Sequence, residues 1–496
     1  MPGSQSSEAG DHDAKAKFLV RRDAMSFAVA KLLNWTAIND KWQINDDQMV
    51  ACLCHRLPIE FQSASSFQYK FVENHMRICV RLDPEDQTMI SMSSSEPVLS
   101  EASFVVMKNC VEKILPAMKI ILGGFSVNKG DRGELVALLI LLLARDEAVS
   151  RRNTDDMWKN PRLRDAPPSL DKSLLRHPVE SKLIEWNRVF TVPDFLRALF
   201  GEIKEKQGVQ EDIDSVFKDT RMHFNHFIKC FQQSVLQRQY LAGLLMRGAA
   251  LLCANCQEAV DAVLPFSFDD GISRFSAGNI LIQIKNSGKY AGKPKWELFD
   301  AMEQYRLGIV DKTTTYLPPV VRIVFALAAS RPFVASDVKI VEVEGGKSYT
   351  AVDIWCAGIS NDILPCIQGT WKAGNIHANW SSLLACYQGW KAPYIPPGEN
   401  EVKDFLRCMT PCLGEDQPFW KFSPHVTVDK DETTRRRLGG EAKLPTQRQR
   451  RVKRKTYSDA ATVTDQAIGS HSQADTSGGR KGKAARQRNG CRKKDT

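Results

Sequence analysis

The chain has 496 residues, 43% hydrophobic and 25% charged, a composition that argues against fibrous and low-complexity classes. Its longest apolar run, Leu135–Ala144, is about half a membrane span, so we expect a buried helix there and no membrane anchor. The net charge of +10 is uneven: residues 431–496 hold 18 Lys or Arg and 7 Asp or Glu, so they carry +11 and residues 1–430 carry −1. Attraction to phosphate backbones is therefore expected from this last segment.

Cysteine usage and the N-terminal segment predict a reducing, intracellular compartment. The thirteen cysteines are scattered and odd in number, and Met1–Ala14 lacks the apolar stretch of a signal peptide. Cys253 and Cys256 form a lone CxxC, and the distant pair Cys408 and Cys412 has a different spacing. This pattern favours buried thiols over structural zinc.

In chain order, residues 1–16 lack apolar periodicity and are predicted to be disordered. Residues 17–130 are predicted to be mainly helical, with one strand at 76–82. A polar stretch at 150–176 contains three prolines and is predicted to be a loop or an inserted segment. Further helices are predicted, at 101–122, 131–147, 192–205 and 210–246.

After Arg247 the pattern changes from helical to β. Short apolar runs separated by turn residues predict buried strands at 249–253, 259–266, 279–286 and 320–327, with a helix at 295–307. The chain is therefore predicted to be an α/β protein. Its mixed sheet with flanking helices would lie inside a largely helical envelope.

The predicted strand at 280–286 alternates, so three isoleucines face one side while Gln283 and Lys285 face the other. A lysine in an apolar strand is costly unless it is paired or functional. Asp261 lies in the preceding strand, where aspartate is disfavoured. If these strands are neighbours, Asp261 and Gln283 supply oxygen ligands for Mg²⁺, and Lys285 orients or activates a water molecule bound to it.

These residues resemble the motif of the PD-(D/E)xK, or restriction-endonuclease-like, nuclease superfamily: a helical acid, a strand aspartate, then acid-x-Lys on the next strand. The helical acid is then Glu134, and Gln283 stands where an Asp or Glu is expected. Segments 132–146, 222–229, 247–266 and 279–286 also resemble fungal proteins whose nuclease domains are related to those of Crinkler-type effectors and mobile elements.

The resemblance implies a nuclease-like core at 131–330 with a helical insertion at about 150–245, followed by an α/β extension at 331–430. It implies Mg²⁺- or Mn²⁺-dependent cleavage of nucleic acid, with DNA as the expected substrate. Asp261 and Gln283 would bind the metal, Lys285 would position the attacking water, and Glu134 would be an outer-shell or additional ligand.

Simpler interpretations stay open. Gln283 and Lys285 could belong to the solvated face of an edge strand, and Asp261 could cap a turn. Glu134 could be an acid favoured by the helix dipole. His223, Asn225 and His226 are predicted to share one helical turn, with Arg247 further along. These four could bind the substrate backbone, but core or surface polar residues are the simpler interpretation.

The last segment, 431–496, is predicted to be a disordered basic tail. It contains the run Arg448, Arg450, Arg451, Lys453, Arg454 and Lys455. A nuclear-import receptor is its expected partner, and nucleic acid is a compatible second one.

The leading hypothesis is therefore a nuclear, metal-dependent nuclease, with the cytoplasm as the alternative location. The alternatives in function are a catalytically inactive nuclease-like module that binds nucleic acid or host proteins, and a secreted effector.

Overall fold

The computed structural model describes residues 24–34, 43–59, 61–63, 66–83, 88–93, 95–124, 129–159, 188–203, 208–230, 236–254, 257–311, 314, 317–343, 346–370 and 376–384. The predicted disordered segments at 1–16 and 431–496, and Cys256, Cys408 and Cys412, lie outside these residues.

Helices dominate the first half of the described chain. A helical segment at 24–32 precedes α1. The helices are α1 (Asp46–Arg56), α2 (Ser66–Asn74), α3 (Pro97–Asn109), α4 (Ile114–Gly124), α5 (Lys129–Lys159), α6 (Val192–Phe200), α7 (Val209–Phe217), α8 (Arg238–Arg247), α9 (Glu297–Asp300) and α10 (Ile376–Leu384).

Eleven strands are named in two sheets. They are β1 (Phe61–Ser63), β2 (Arg77–Asp83), β3 (Thr88–Ser93), β4 (Arg221–Met222), β5 (His226–Lys229), β6 (Ala249–Leu252), β7 (Ala262–Ser267), β8 (Ala277–Lys285), β9 (Val320–Ala326), β10 (Phe333–Val343) and β11 (Lys347–Ala357). The first three form a small sheet in the order β1-β3-β2.

The remaining eight strands form one mixed sheet in the order β10-β11-β9-β8-β7-β6-β5, with β4 paired to β7. Neighbours run parallel in β5/β6, β8/β9 and β9/β11 and antiparallel in β6/β7, β7/β8 and β10/β11. The prediction of a mixed α/β architecture is confirmed. β10 and β11, in the predicted extension, continue the same sheet.

Side chains of β8 alternate between two cores, as the sequence pattern predicts. Ile280, Ile282 and Ile284 pack in the core that also holds the apolar middle of α5, whereas Leu281 packs in the core on the other side. The ten residues Leu135–Ala144 are all buried, which confirms the predicted buried helix. Within the described part of the chain, no helix is long and apolar enough to span a membrane.

One predicted helix is wrong. Residues 210–246 form α7, the short strands β4 and β5, and α8 rather than a continuous helix. The stretch from Met222 to Ile228 contains Phe224 and Phe227, which are buried in an extended chain. Hydrogen bonding of β5 to β6 outweighs the local helical pattern.

Other boundaries also differ from the sequence prediction. The helix predicted at 101–122 is divided into α3 and α4, and α6 ends at Phe200. Helix α5 continues to Lys159, into the segment predicted as a loop. The helix predicted at 295–307 is reduced to α9, because turns occupy the residues that follow it.

A buried ion pair joins β9 to β11. Arg322 donates through Nε and Nη2 to the two carboxylate oxygens of Asp353, at 2.5 and 2.8 Å, and through Nη1 to the carbonyl of Phe299 at 2.8 Å. Their side chains are 1% and 0% exposed, so neither charge is hydrated. Each partner therefore depends on the other.

We expect Asp353→Ala to lower the free energy of unfolding by about 3–5 kcal/mol, because it leaves the Arg322 guanidinium buried without its counter-ion. The double variant Arg322→Met/Asp353→Leu should recover most of this loss. Chemical denaturation followed by circular dichroism measures both, and a double variant less stable than Asp353→Ala would contradict the pairing argument.

Candidate active site

Polar side chains gather where several strands of the large sheet end. Lys229 is the last residue of β5, and Cys253 follows β6 directly. Asp261 directly precedes β7, which runs antiparallel to β6, and Lys285 is the last residue of β8. Because β6 and β7 are antiparallel, the end of one and the start of the other lie at the same edge.

Asp261 is held between the two neighbouring strands. Its N–H donates to the carbonyl of Ile282 at 2.8 Å, and its carbonyl accepts from the N–H of Cys253 at 2.8 Å. Its carboxylate Oδ2 accepts from the backbone N–H of Ile284 at 2.6 Å. This places the Asp261 carboxylate against the backbone between Gln283 and Lys285.

Gln283 is 5% exposed, and its amide oxygen Oε1 is buried without a hydrogen-bond partner among the described residues. Burying an acceptor with no donor or cation is costly, and this oxygen shares that property with several other buried polar atoms, including Asn279 Oδ1 and Tyr349 OH. Lys285 is partly buried, and its Nζ lies 5.9 Å from the ring centre of Tyr290. The prediction of a purely solvated face does not fit Gln283.

The N-terminal part of α5 comes close to the end of β8. A Cβ placed on Gly133 would lie 2.7 Å from the Cβ of Asn286, so the helix approaches this closely because residue 133 is glycine. The next residue is Glu134, which is partly buried and is the sixth residue of the helix.

The pKa of Glu134 shows which charges surround it. This pKa is raised to about 7, first by burial and then by the negative charges of Asp261 and Asp131, while Lys229 and Lys285 lower it. Glu134 is therefore close enough to Asp261 and Lys285 for their charges to act on it. A bound cation would favour the ionised carboxylate.

Four residues singled out in the sequence lie on elements that reach this edge: Glu134, Asp261, Gln283 and Lys285. The charges of Asp261 and Lys285 act on Glu134. The alternation of β8 places Gln283 on the same face as Leu281, opposite the face that packs on α5. We call these four residues the edge site. Asp131 and Lys229 also act on it, and the sequence interpretation missed both. Lys229 was missed because its segment was predicted to be helical. Asp131 could have been found, because it lies three residues before Glu134 on the same predicted helix.

The neighbouring thiol does not offer a metal ligand. Burial raises the pKa of Cys253 well above its ordinary value, and the charges of Asp261 and Glu134 add to the rise. Cys253 is buried and free of disulfides, so it is a protonated, apolar neighbour of the carboxylates. The expectation of buried thiols is confirmed at this position.

The donors present fit a hard cation. No three His, Cys, Asp or Glu side chains are grouped to hold a metal within the described ranges. The edge site offers two carboxylates and one buried amide oxygen instead. Mg²⁺ commonly binds through one or two carboxylates and completes its shell with water and substrate phosphates.

The four residues predicted to contact a substrate backbone form a separate polar network. His226 is 2% exposed and contacts the Ser95 hydroxyl through Nε2 at 2.8 Å and the Asn225 amide oxygen through Nδ1 at 2.6 Å. Asn225, also buried, donates to Glu101 at 3.1 Å. Arg247 donates to the Ser95 hydroxyl at 2.7 Å.

His223 lies beside Gly248, and its Nδ1 contacts the carbonyl of Arg188 at 3.3 Å. Burial lowers the pKa of His223 and lowers that of His226 to about 3, so both imidazoles are neutral. The prediction that His223, Asn225 and His226 share a helical turn is wrong, because the chain is extended there. The network's contacts support the simpler interpretation, that these polar residues join parts of the core.

Comparisons with known proteins add one finding. A family model described as a domain of unknown function, DUF8736, matches residues 42–160. This range covers α1 to α5 and therefore includes Glu134, but it ends before the large sheet. No curated protein and no solved structure matches the chain.

Stability should depend on the charge of Glu134. Its pKa is raised in the folded state to about 7 from an ordinary 4.5, so folding favours the protonated form. The contribution of Glu134 to the free energy of unfolding is therefore fully present below about pH 4.5. It is lost as the pH rises towards 7, which lowers the free energy of unfolding by up to about 3 kcal/mol.

We expect Glu134→Gln to remove this loss, so that the variant is more stable than the wild type at pH 8 but not at pH 4.5. Urea unfolding at both pH values, in metal-free buffer, measures the difference. Glu73→Gln, at an exposed position on α2, is the control. If the free energy of unfolding depends on pH equally in the wild type and in Glu134→Gln, the burial and neighbouring charges assigned to Glu134 are wrong.

Proposed function

We propose that this protein is a metal-dependent nuclease that hydrolyses phosphodiester bonds, with DNA as its substrate. The observation that carries the proposal is that the charges of Asp261 and Lys285 act on Glu134 at one sheet edge, with Gln283 two residues before Lys285 on β8. These residues come from α5, the start of β7 and the end of β8, which are widely separated in the sequence.

The order of elements supports a restriction-endonuclease-like core. Helix α8 is followed by β6, β7 and β8, then by α9, and then by β9 beside β8. This is the order of helix, three strands, helix and strand that the sequence predicts. Asp261 directly precedes the second of these strands, where the resemblance implies an aspartate within it, and Gln283 and Lys285 lie among the last three residues of the third.

Asp261 and Gln283 would hold Mg²⁺ or Mn²⁺ through the carboxylate and the buried amide oxygen. The ion would polarise the scissile phosphate and make a bound water more acidic. Glu134 would add a negative charge once it loses its proton. Lys285, beside these groups, would orient the attacking water and offset charge on the phosphate.

Gln283 gives the site one negative charge fewer than an acid would. The carboxyl of Glu134 lies near Asp261 and can restore that charge in the ionised form. We therefore expect cation binding to be weak at acidic pH and to strengthen above neutrality, because a proton must leave Glu134 first.

We expect Asp261→Ala and Lys285→Ala each to reduce cleavage of duplex and single-stranded DNA on the order of 100-fold or more, because each removes a group that acts on the reacting phosphate or water. Purified full-length protein is assayed with Mg²⁺ and Mn²⁺ on labelled DNA and RNA.

Asp212→Ala and Lys218→Ala remove the same charges from exposed positions on or next to α7 and should cleave like the wild type. Cleavage that survives both site substitutions would overturn the assignment. If neither metal supports cleavage but the protein still binds DNA, the catalytically inactive binding module is the correct alternative.

We also propose that the basic run at Arg448–Lys455 directs the protein to the nucleus through an import receptor. The support is the concentration of charge in residues 431–496. Removing these residues from a fluorescent fusion should shift it from the nucleus to the cytoplasm. Unchanged nuclear entry would contradict this role.

A further inference from the structure

A short basic segment follows β8 directly. Between Asn286 and Trp296 the sequence is NSGKYAGKPKW, which contains Lys289, Lys293 and Lys295 and no acidic residue. With Lys285, four ammonium groups fall within twelve residues, although residues 1–430 together carry a net charge of −1. We call residues 286–296 the basic loop.

The basic loop has a defined conformation anchored at the edge site. Its first residue, Asn286, lies against Gly133 of α5. A 3-10 turn at Gly288–Tyr290 follows, in which the N–H of Tyr290 donates to the carbonyl of Ser287 at 3.1 Å. The loop is therefore positioned relative to Glu134 and Lys285 and does not need a partner to order it.

Two lysines share one aromatic ring in this loop. Lys285 and Lys295 place their Nζ atoms 5.9 and 4.8 Å from the ring centre of Tyr290. The ring attracts each ammonium group, but the two positive charges repel each other.

The loop ends on an exposed aromatic surface. Trp296 is 36% exposed, and its ring centre lies 5.5 Å from that of Phe299, which is fully buried. An indole fixed on a buried ring and open to solvent is a stacking platform for an unpaired base. Lys289 and Lys293 are exposed in the same loop.

We propose that the basic loop binds a strand of nucleic acid next to the edge site. Lys289 and Lys293 contact backbone phosphates, and Trp296 stacks on an unpaired base. The loop thereby selects single-stranded or locally opened DNA over an intact duplex. This inference deepens the proposed function, because it names the form of the substrate, but the binding does not require cleavage.

Binding is measured with the full-length wild type and variants by fluorescence anisotropy of labelled single-stranded and duplex oligonucleotides. EDTA is present throughout, so no cleavage occurs. The chain's basic C-terminal segment contributes equally to every variant. Thermal melting of each variant is recorded first, and variants that melt more than a few degrees below the wild type are replaced by Lys289→Gln/Lys293→Gln or Trp296→Leu.

We expect Lys289→Ala/Lys293→Ala to weaken binding of single-stranded DNA about tenfold at low salt. The plot of the logarithm of the association constant against the logarithm of the salt concentration has a negative slope. The magnitude of this slope should decrease by about 1.4, because two phosphate contacts are lost. Lys119→Ala/Lys218→Ala removes the same charge from exposed positions elsewhere and should change affinity less than twofold. Equal effects of the two double variants would overturn the phosphate contacts.

Trp296→Ala should weaken single-stranded binding about tenfold with an unchanged salt slope, and should weaken duplex binding less than twofold. Tyr69→Ala, at another exposed aromatic (53% exposed), is its control and should have no effect. If Trp296→Ala weakens binding to single-stranded and duplex DNA equally, or weakens neither, the stacking role is wrong.

The outcome separates this inference from the nuclease proposal. If the loop variants lose binding as expected but no metal supports cleavage by the wild type, the loop assignment stands and the enzyme assignment fails. If the wild type cleaves DNA and the loop variants bind and cleave like their controls, the enzyme assignment stands and the loop assignment fails.

Discussion

The contact on which the edge site depends is the approach of α5 to the end of β8. Gly133 lies so close to Asn286 that any side chain there would overlap it. This approach brings the carboxyl of Glu134 into the field of Asp261 and out of water, which raises its pKa to about 7. Two carboxylates are thereby kept near each other although they repel each other. Lys229 and Lys285 offset part of that cost, and a proton on Glu134 or a bound cation would offset more.

The edge site lies where an α/β sheet most readily accommodates a ligand. Strands β5, β6 and β8 end there, and the loop after β8 leaves the sheet from the same edge. The apolar middle of α5 fills the core beneath the isoleucines of β8, so the helix end that carries Glu134 is held by extensive burial. Packing in the interior thus fixes the position of Glu134 at the edge site.

Sequence alone predicted much of this arrangement, for identifiable reasons. The alternation of Ile280, Ile282 and Ile284 with polar residues defined a strand buried on one side, and the apolar run in α5 was too long for anything but a buried helix. Lysine in β8 and aspartate before β7 are unfavourable there without a function, so they stood out. Such unfavourable residue types depend only on their neighbours in the chain and can be recognised from the sequence.

Other features depend on contacts between distant segments. The strand β5 was mistaken for helix, because its hydrogen bonds go to β6, about twenty residues away. The position of Lys229 beside Glu134 followed from that pairing and could not be inferred. The partnerless oxygen of Gln283 and the shared ring of Tyr290 likewise exist only once the chain has folded.

One buried ring joins helices α1, α3 and α5 to the segment that begins at Arg188. The guanidinium carbons of Arg56, Arg145 and Arg188 lie 5.7, 4.9 and 5.6 Å from the centre of Phe104, and Glu101 pairs with Arg145 and Arg188. Lifting residues 42–160 off the rest of the described chain would separate Arg188 from Glu101 and from the ring of Phe104. The two parts should therefore melt in a single cooperative transition, and the helical part alone would expose a cationic, aromatic surface that invites aggregation.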